Sequence, residues 1–177
     1  MGETQNILNA ADIDRILKRM AQEILEAHKG APIALIGIHT RGVYLARRLQ
    51  QNIKAFEATE LPVGEIDITL YRDDWTQLTP HPVVKTTQIP FSVNGKRIVL
   101  VDDVLYTGRT IRAAMDAIVD FGRPGRIELA VLIDRGHREL PIQSNYTGQC
   151  IRTGKTDMIN VLLKECDQED RVVLEIR

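Results

Sequence analysis

The segment from Arg97 to Ala114, RIVLVDDVLYTGRTIRAA, constrains the fold more than any other stretch of the chain. Its run from Arg97 to Val101 is too continuously apolar for a strand with one wet face. Both faces must be covered, which is the habit of parallel strands under helices. The strand is expected to end at Asp102, where two adjacent carboxylates begin, and the spacing predicts a helix from about Arg109 to Phe121, stopped by Gly122 with Pro124 behind it. Buried strands seldom close on paired charges, and a helix does not need two threonines and a glycine to start. Something bound at that turn has to want both.

The rest of the chain repeats the strand-then-helix order. Ile13, Ile16, Leu17, Met20, Ile24 and Leu25 recur at three- and four-residue spacing between Asp12 and Lys29, an amphipathic helix closed by Gly30 and Pro32. PIALIGIHT reads as a buried strand and RGVYLARRLQQN as a helix with Val43, Ala46 and Leu49 inward. RIELAVLID is a second continuous strand, and DMINVLLKE and RVVLEI are later ones. VGEIDITLYRDD alternates Ile66, Ile68 and Leu70 against Asp67, Thr69 and Tyr71, the pattern of a strand with one solvated face. From Asp73 to about Pro90 the periodicity lapses around three prolines and the lone Trp75. Two readings stay open there, a functional lid or a β-hairpin with a loose tip. The whole implies one α/β domain over residues 1–177, a mostly parallel twisted sheet with helices on both faces.

Composition narrows the function classes. A chain of 177 residues, 44% hydrophobic and 27% charged, has room for a full core. A net charge of −1 excludes global basicity, so nucleic acid could be held only by a local patch. The N-terminus has no apolar signal core and no run approaches the ~18 residues of a membrane span. Cys150 and Cys166 form no CxxC pair, and a reduced, cytoplasmic setting is expected.

In open α/β sheets ligands bind beyond the carboxyl ends of strands. Thr107-Gly108-Arg109-Thr110 supplies successive backbone N–H groups and two hydroxyls at the positive end of a helix, a phosphate cradle. It is neither GxxxxGK[ST] nor GxGxxG. Asp102 and Asp103 would repel a phosphate, yet they can accept hydrogen bonds from vicinal hydroxyls or help hold a divalent cation. Hydroxyl recognition beside a phosphate cradle describes a 5-phosphorylated ribose. Thr40-Arg41-Gly42 opens the preceding helix and occupies a second such turn, where Arg41 can grip another anion with two parallel donors and Gly42 lets backbone N–H groups approach it.

IVLVDDVLYTGRT resembles the phosphoribosyl-diphosphate (PRPP) motif of the type I phosphoribosyltransferases. GIHTRGVYLARRL, VGEIDITLYRDD and DAIVDFGRPGRIELAVLIDRGHRELPI extend the likeness, from about residue 12 to residue 160, to the family of pyrimidine-operon attenuation regulators that also act as uracil phosphoribosyltransferases. The resemblance implies that Asp102, Asp103, Val104, Leu105, Tyr106, Thr107, Gly108, Arg109 and Thr110 bind PRPP and that Thr40 and Arg41 form its diphosphate loop. It implies that Mg²⁺ is the cofactor, carried on PRPP and met indirectly by Asp102 and Asp103, and that these two and Arg41 carry catalysis. Tyr71 and Arg72 then stand at the base of a lid over about 73–90. Uracil contacts are placed at Arg135 and Ile159, with the alternative that Asp134 is a structural partner for Arg135. His137 is expected to be structural.

The same family binds the leader of its own messenger RNA, tuned by UMP or UTP, and forms homodimers or higher assemblies. Arg15, Lys18 and Arg19 fall on one stripe of the first helix, and Arg138 is the other matching position. Against this, Gln22, Gln143 and Gln149 stand where family members carry histidine or basic residues, and each missing cation removes a phosphate contact. Three alternatives remain: an enzyme without RNA binding, a nucleotide sensor with vestigial turnover, and a purine-specific transferase.

Overall fold

The computed structural model describes residues 3–72 and 85–177. The elements run β1 (Glu3–Leu8), α1 (Ala10–His28), β2 (Ile33–Ile38), α2 (Arg41–Glu57), β3 (Val63–Ile66), β4 (Arg97–Leu105), α3 (Arg109–Val119), β5 (Arg126–Asp134), β6 (Tyr146–Cys150), β7 (Met158–Leu162), α4 (Lys164–Asp167) and β8 (Arg171–Ile176). Five strands form a parallel sheet in the order β3-β2-β4-β5-β6. Its strands read as near-continuous apolar runs because both faces are covered. Along β4, Val99 and Val101 pack with Leu17, Met20 and Leu49 of α1 and α2, whereas Ile98 and Leu100 pack with Ile111, Ala114 and Ile118 of α3.

Helix α1 is set by its ends. The Asn9 side chain accepts from the Asp12 N–H at 3.0 Å and the Asp12 carboxylate accepts from the Asn9 N–H at 3.1 Å. That reciprocal box satisfies two donors that the first turn would leave orphaned. Val43, Ala46 and Leu49 are buried, as their spacing predicts.

The structure departs from the sequence reading in four places. The strand at VGEIDITLYRDD stops at Ile66, because the Asp67 carboxylate turns back to accept from the Thr69 N–H at 2.8 Å and its hydroxyl at 2.6 Å. That local turn competes with the ladder, and Thr69–Tyr71 form a 3₁₀ turn with Leu70 61% exposed. The central strand does not end at Asp102 but continues to Leu105. Its in-and-out alternation does slip there, since Val104 packs with the α1–α2 side and Leu105 with the α3 side, the reverse of the phase upstream. The two C-terminal strands leave the parallel sheet and make a separate antiparallel one, β1-β8-β7. Finally, β1 and β6 carry little apolar signal: ETQNIL is mostly exposed, and YTGQC buries only Tyr146. Both lie at sheet edges, where pairing needs no hydrophobic face.

Candidate active site

Helices α2 and α3 open beside each other at the carboxyl ends of β2 and β4, which are neighbours in the sheet. Neither has a side-chain cap or an acidic residue in its first turn. Their orphaned N–H groups and dipole ends therefore point positive potential at the crevice.

Close approach of these turns depends on two glycines. A Cβ on Gly42 would lie 2.4 Å from the Val101 carbonyl oxygen and 3.2 Å from the Asp102 Cα, so α2 can cross β4 where the carboxylates begin only without a side chain there. This is a different use of Gly42 from the expected one, since the missing atom makes room for strand backbone. Gly108 takes φ +93° at the N-cap of α3, a left-handed conformation that other residues resist. The connection from β4 to α3 is braced from outside. Glu139 and Leu140 donate their N–H groups to the Thr107 carbonyl at 2.9 and 3.2 Å, and Arg109 Nε donates to Glu139 at 2.7 Å. The Thr107 hydroxyl accepts from the Arg109 N–H at 3.3 Å, and Thr110 is half-buried behind them.

The two aspartates have different surroundings. Asp103 is half-buried and lines a cleft of about 390 Å³ together with Arg41, Ile159, Asn160, Arg171 and Thr4. Asp102 is 6% exposed and accepts from the Asp103 N–H at 2.9 Å. Burial pushes the Asp102 carboxyl well above the usual range, and the neighbouring Asp103 charge adds to the shift.

Arg41 enters the cleft already held. Its Nε and Nη2 donate to the Asp167 carboxylate at 3.1 and 2.8 Å. This pairing draws the Asp167 carboxyl down to about 2. Thr40, joined to His39 by a cis peptide, accepts at its hydroxyl from Lys85 Nζ at 2.5 Å. Neither Asp167 nor Lys85 was singled out in the sequence, where an acid after DMINVLLKE and a lysine in an aperiodic loop carry no local signal.

Of the segment 73–90, residues 73–84 lie outside the described residues. The rest runs back beside β3: Gln88 exchanges backbone hydrogen bonds with Glu65 at 2.7 and 2.8 Å, and the Thr87 hydroxyl accepts from the Asp67 N–H at 3.0 Å. Burial raises the Asp67 carboxyl, but donors from Thr69 and from the Lys85 backbone outweigh it and hold the group below its ordinary value. Tyr71 directs its hydroxyl to Asp120 at 2.5 Å, and Arg72 is exposed.

Arg135 is 7% exposed, donates from Nη2 to the Gly154 carbonyl at 2.9 Å, and lies with its guanidinium carbon 4.0 Å from the Tyr106 ring centroid. Asp134 is not its partner. That carboxylate accepts from Arg138 Nη2 at 2.5 Å and from the Gly136 N–H at 2.9 Å. Arg138 also donates to the carbonyls of Ile142 and Tyr106, both at 2.9 Å, so several of its guanidinium donors are met within the chain. His137 bonds the Thr153 carbonyl at 2.6 Å, a structural contact. Arg15, Lys18 and Arg19 are exposed along α1, paired with Asp12, Asp14 and Glu23 of the same helix, and Arg19 reaches the Thr147 and Gly148 carbonyls of β6.

A parallel sheet with two open helix starts side by side, and with Asp103 and Arg41 on one cleft beside them, is suited to a ligand that carries phosphate groups. Residues 3–169 match the family model described as a phosphoribosyl transferase domain. Hypoxanthine phosphoribosyltransferases share the fold: that of Trypanosoma cruzi gives a TM-score of 0.74 at 18% identity over 98% of this chain and 91% of that one. That of Staphylococcus aureus gives 0.71 at 18% identity, over 98% and 92%. Among curated relatives, the bifunctional protein PyrR of Elusimicrobium minutum is 54% identical over 97% of this chain and 96% of its own length. That of Thermus thermophilus is 56% identical over 95% and 93%. The chain belongs to the phosphoribosyltransferase family and, within it, to the bifunctional PyrR proteins. It is a pentosyl-transferring enzyme with a second, regulatory role.

Proposed function

We propose that the chain, acting as one domain over residues 1–177, transfers phosphoribose from PRPP to uracil, giving UMP and diphosphate. We also propose that UMP or UTP tunes its binding to the leader mRNA of the pyrimidine operon. The observation that carries the catalytic reading is the convergence of Arg41, Asp103 and Ile159 on one cleft beside the uncapped start of α3. In this reading the N–H groups of Thr107–Thr110 hold the 5-phosphate, with Val104, Leu105 and Tyr106 carrying the chain around it. Asp103 accepts from the ribose hydroxyls and sets negative potential beside the oxocarbenium-like carbon. Asp102 braces Asp103 through its backbone N–H. Arg41 and Thr40 take the diphosphate, and Arg41 stabilises the charge that builds on it as the anomeric bond breaks. Uracil lies between Ile159 and the Arg135–Tyr106 stack, and its nitrogen attacks the carbon that diphosphate leaves. Tyr71 and Arg72 belong to the same reading, next to residues 73–84, which lie outside the described residues.

Mg²⁺ fits this donor set as a substrate-borne ion. Asp103 and Glu175 both line the cleft, but no group of three or more His, Cys, Asp or Glu that could hold a metal is gathered among the described residues. When bound, the ion offsets charge on the leaving diphosphate.

Incubation with uracil, PRPP and Mg²⁺ is expected to yield UMP; product only from hypoxanthine or guanine would remove the uracil assignment. The RNA reading rests on the exposed stripe of Arg15, Lys18 and Arg19. Filter binding of the leader across a salt series, with and without UMP, tests it. Each cation replaced by alanine should lower the salt slope by about 1, and no binding at low salt would end the regulatory claim. A cytoplasmic homodimer or higher homo-oligomer is the proposed working form. No helix among the described residues is long and apolar enough to cross a membrane.

A further inference from the structure

The connection between β7 and β8 closes on one face of α2 through two arginines seven positions apart. Arg48 binds Glu165 at 2.8 and 2.6 Å and Asp170 at 2.7 Å. Arg41 binds Asp167 through two parallel donors. Seven residues are two helical turns, so both guanidiniums leave α2 on the same side. The pairs differ in what lies beyond them. Arg48 is not a lining residue of the cleft that Asp103 faces, whereas Arg41 is.

Asp167 is itself anchored. Its Oδ2 accepts from the Leu163 N–H at 2.9 Å and from the Cys166 thiol at 3.1 Å, and Leu163 is wholly buried. The carboxylate is thus tied to the backbone just where β7 leaves the small sheet, and it does not line the cleft. A guanidinium gripped along its Nε–Nη2 edge keeps its Nη1 donors for another anion. It has also given up the rotations that an unheld arginine would lose on binding.

We propose that Asp167 is a positioning residue for the diphosphate site: it fixes the Arg41 guanidinium at the cleft before PRPP arrives, and so makes the β1-β8-β7 sheet part of that site. The inference rests on the PRPP reading given above. Asp167 touches no substrate; it acts through Arg41. The low titration range of its carboxyl keeps the grip charged at any working pH.

The test is steady-state kinetics of UMP formation with PRPP and uracil varied separately. Asp167→Ala should raise the KM for PRPP by about tenfold while the uracil KM stays within about twofold. Asp167→Asn, which keeps the shape and one strong acceptor, should fall between. In an Arg41→Ala background, Asp167→Ala should add nothing, because the two act as one unit. Arg48→Ala and Glu165→Gln break the outer pair; they should lower Tm and leave the PRPP KM alone. An active wild type whose PRPP KM is unmoved by Asp167→Ala overturns the inference by itself, as does an equal shift from Glu165→Gln. A wild type that forms no UMP removes the PRPP reading and this inference together.

Discussion

Helix α1 starts closed, and α2 and α3 start open. At α1, Asn9 and Asp12 satisfy each other's backbone donors, and Asp12 puts an acid on the positive end of the dipole. At α2 and α3 the N-caps Thr40 and Gly108 make no side-chain cap, and no acid stands in either first turn. An uncapped start forgoes roughly 1 kcal/mol of helix stability. Two such starts side by side at the strand ends, and a capped one elsewhere, separate helix ends kept for an anionic ligand from one kept for folding.

Substitutions at the open ends should break function first. Asp103→Asn and Arg41→Ala are each expected to lower UMP formation by about 10²–10³-fold; Asp103→Asn should leave Tm nearly unchanged, whereas Arg41→Ala also unpairs Asp167 and should lower it. Unchanged turnover in both would sink the role assignment. Gly42→Ala should disturb folding and activity together. Its Cβ would press on the Val101 carbonyl at 2.4 Å, and forcing backbone apart costs roughly 1–3 kcal/mol, readable in urea denaturation. Asn9→Ala sharpens the contrast from the other side: about 1 kcal/mol of stability lost, with the PRPP and uracil KM values unchanged.

The smallest expected effect separates the two aspartates by pH. Asp102 has a folded pKa raised by burial and then by Asp103. Its protonated form is favoured in the folded state, so its stabilising contribution is complete below the unfolded value of about 4 and is lost as pH rises through the folded one. Asp102→Asn does not titrate. Its stability minus that of wild type should therefore rise as pH rises above 4, by urea denaturation; a signed difference that falls or stays flat contradicts the burial argument.

Much of this was legible locally. The turn from Asp102 to Thr110 announces itself because paired carboxylates at a strand end, followed by a glycine and two threonines at a helix start, are costly together unless a ligand is present, and α1 announces itself by spacing and caps. VGEIDITLYRDD misled because alternation is a two-residue rule that cannot see Asp67 folding back on Thr69. The strand at Arg97–Val101 ran on past its carboxylates because β5 continues to pair with it, Val104 with Ile133 and Leu105 with Asp134. The stripe on α1 was visible by periodicity, but the hydrogen bonds of Arg138 were not, since its carbonyl partners Tyr106 and Ile142 belong to two separate loops.

Patterns within a few residues of one another, namely apolar period, helix ends and the run of acid, hydroxyl and glycine at one turn, were enough to dictate a parallel α/β layout and where its chemistry lies. Contacts between distant residues decided the rest. Arg41 and Asp167 stand 126 positions apart, and β1 finds β8 across nearly the whole chain. Such pairs leave no periodic trace, because what selects them is the burial and charge compensation available only once the layers have packed. The unequal burial of Asp102 and Asp103, the anchoring of Arg41 and the existence of the second sheet all belong to that later stage.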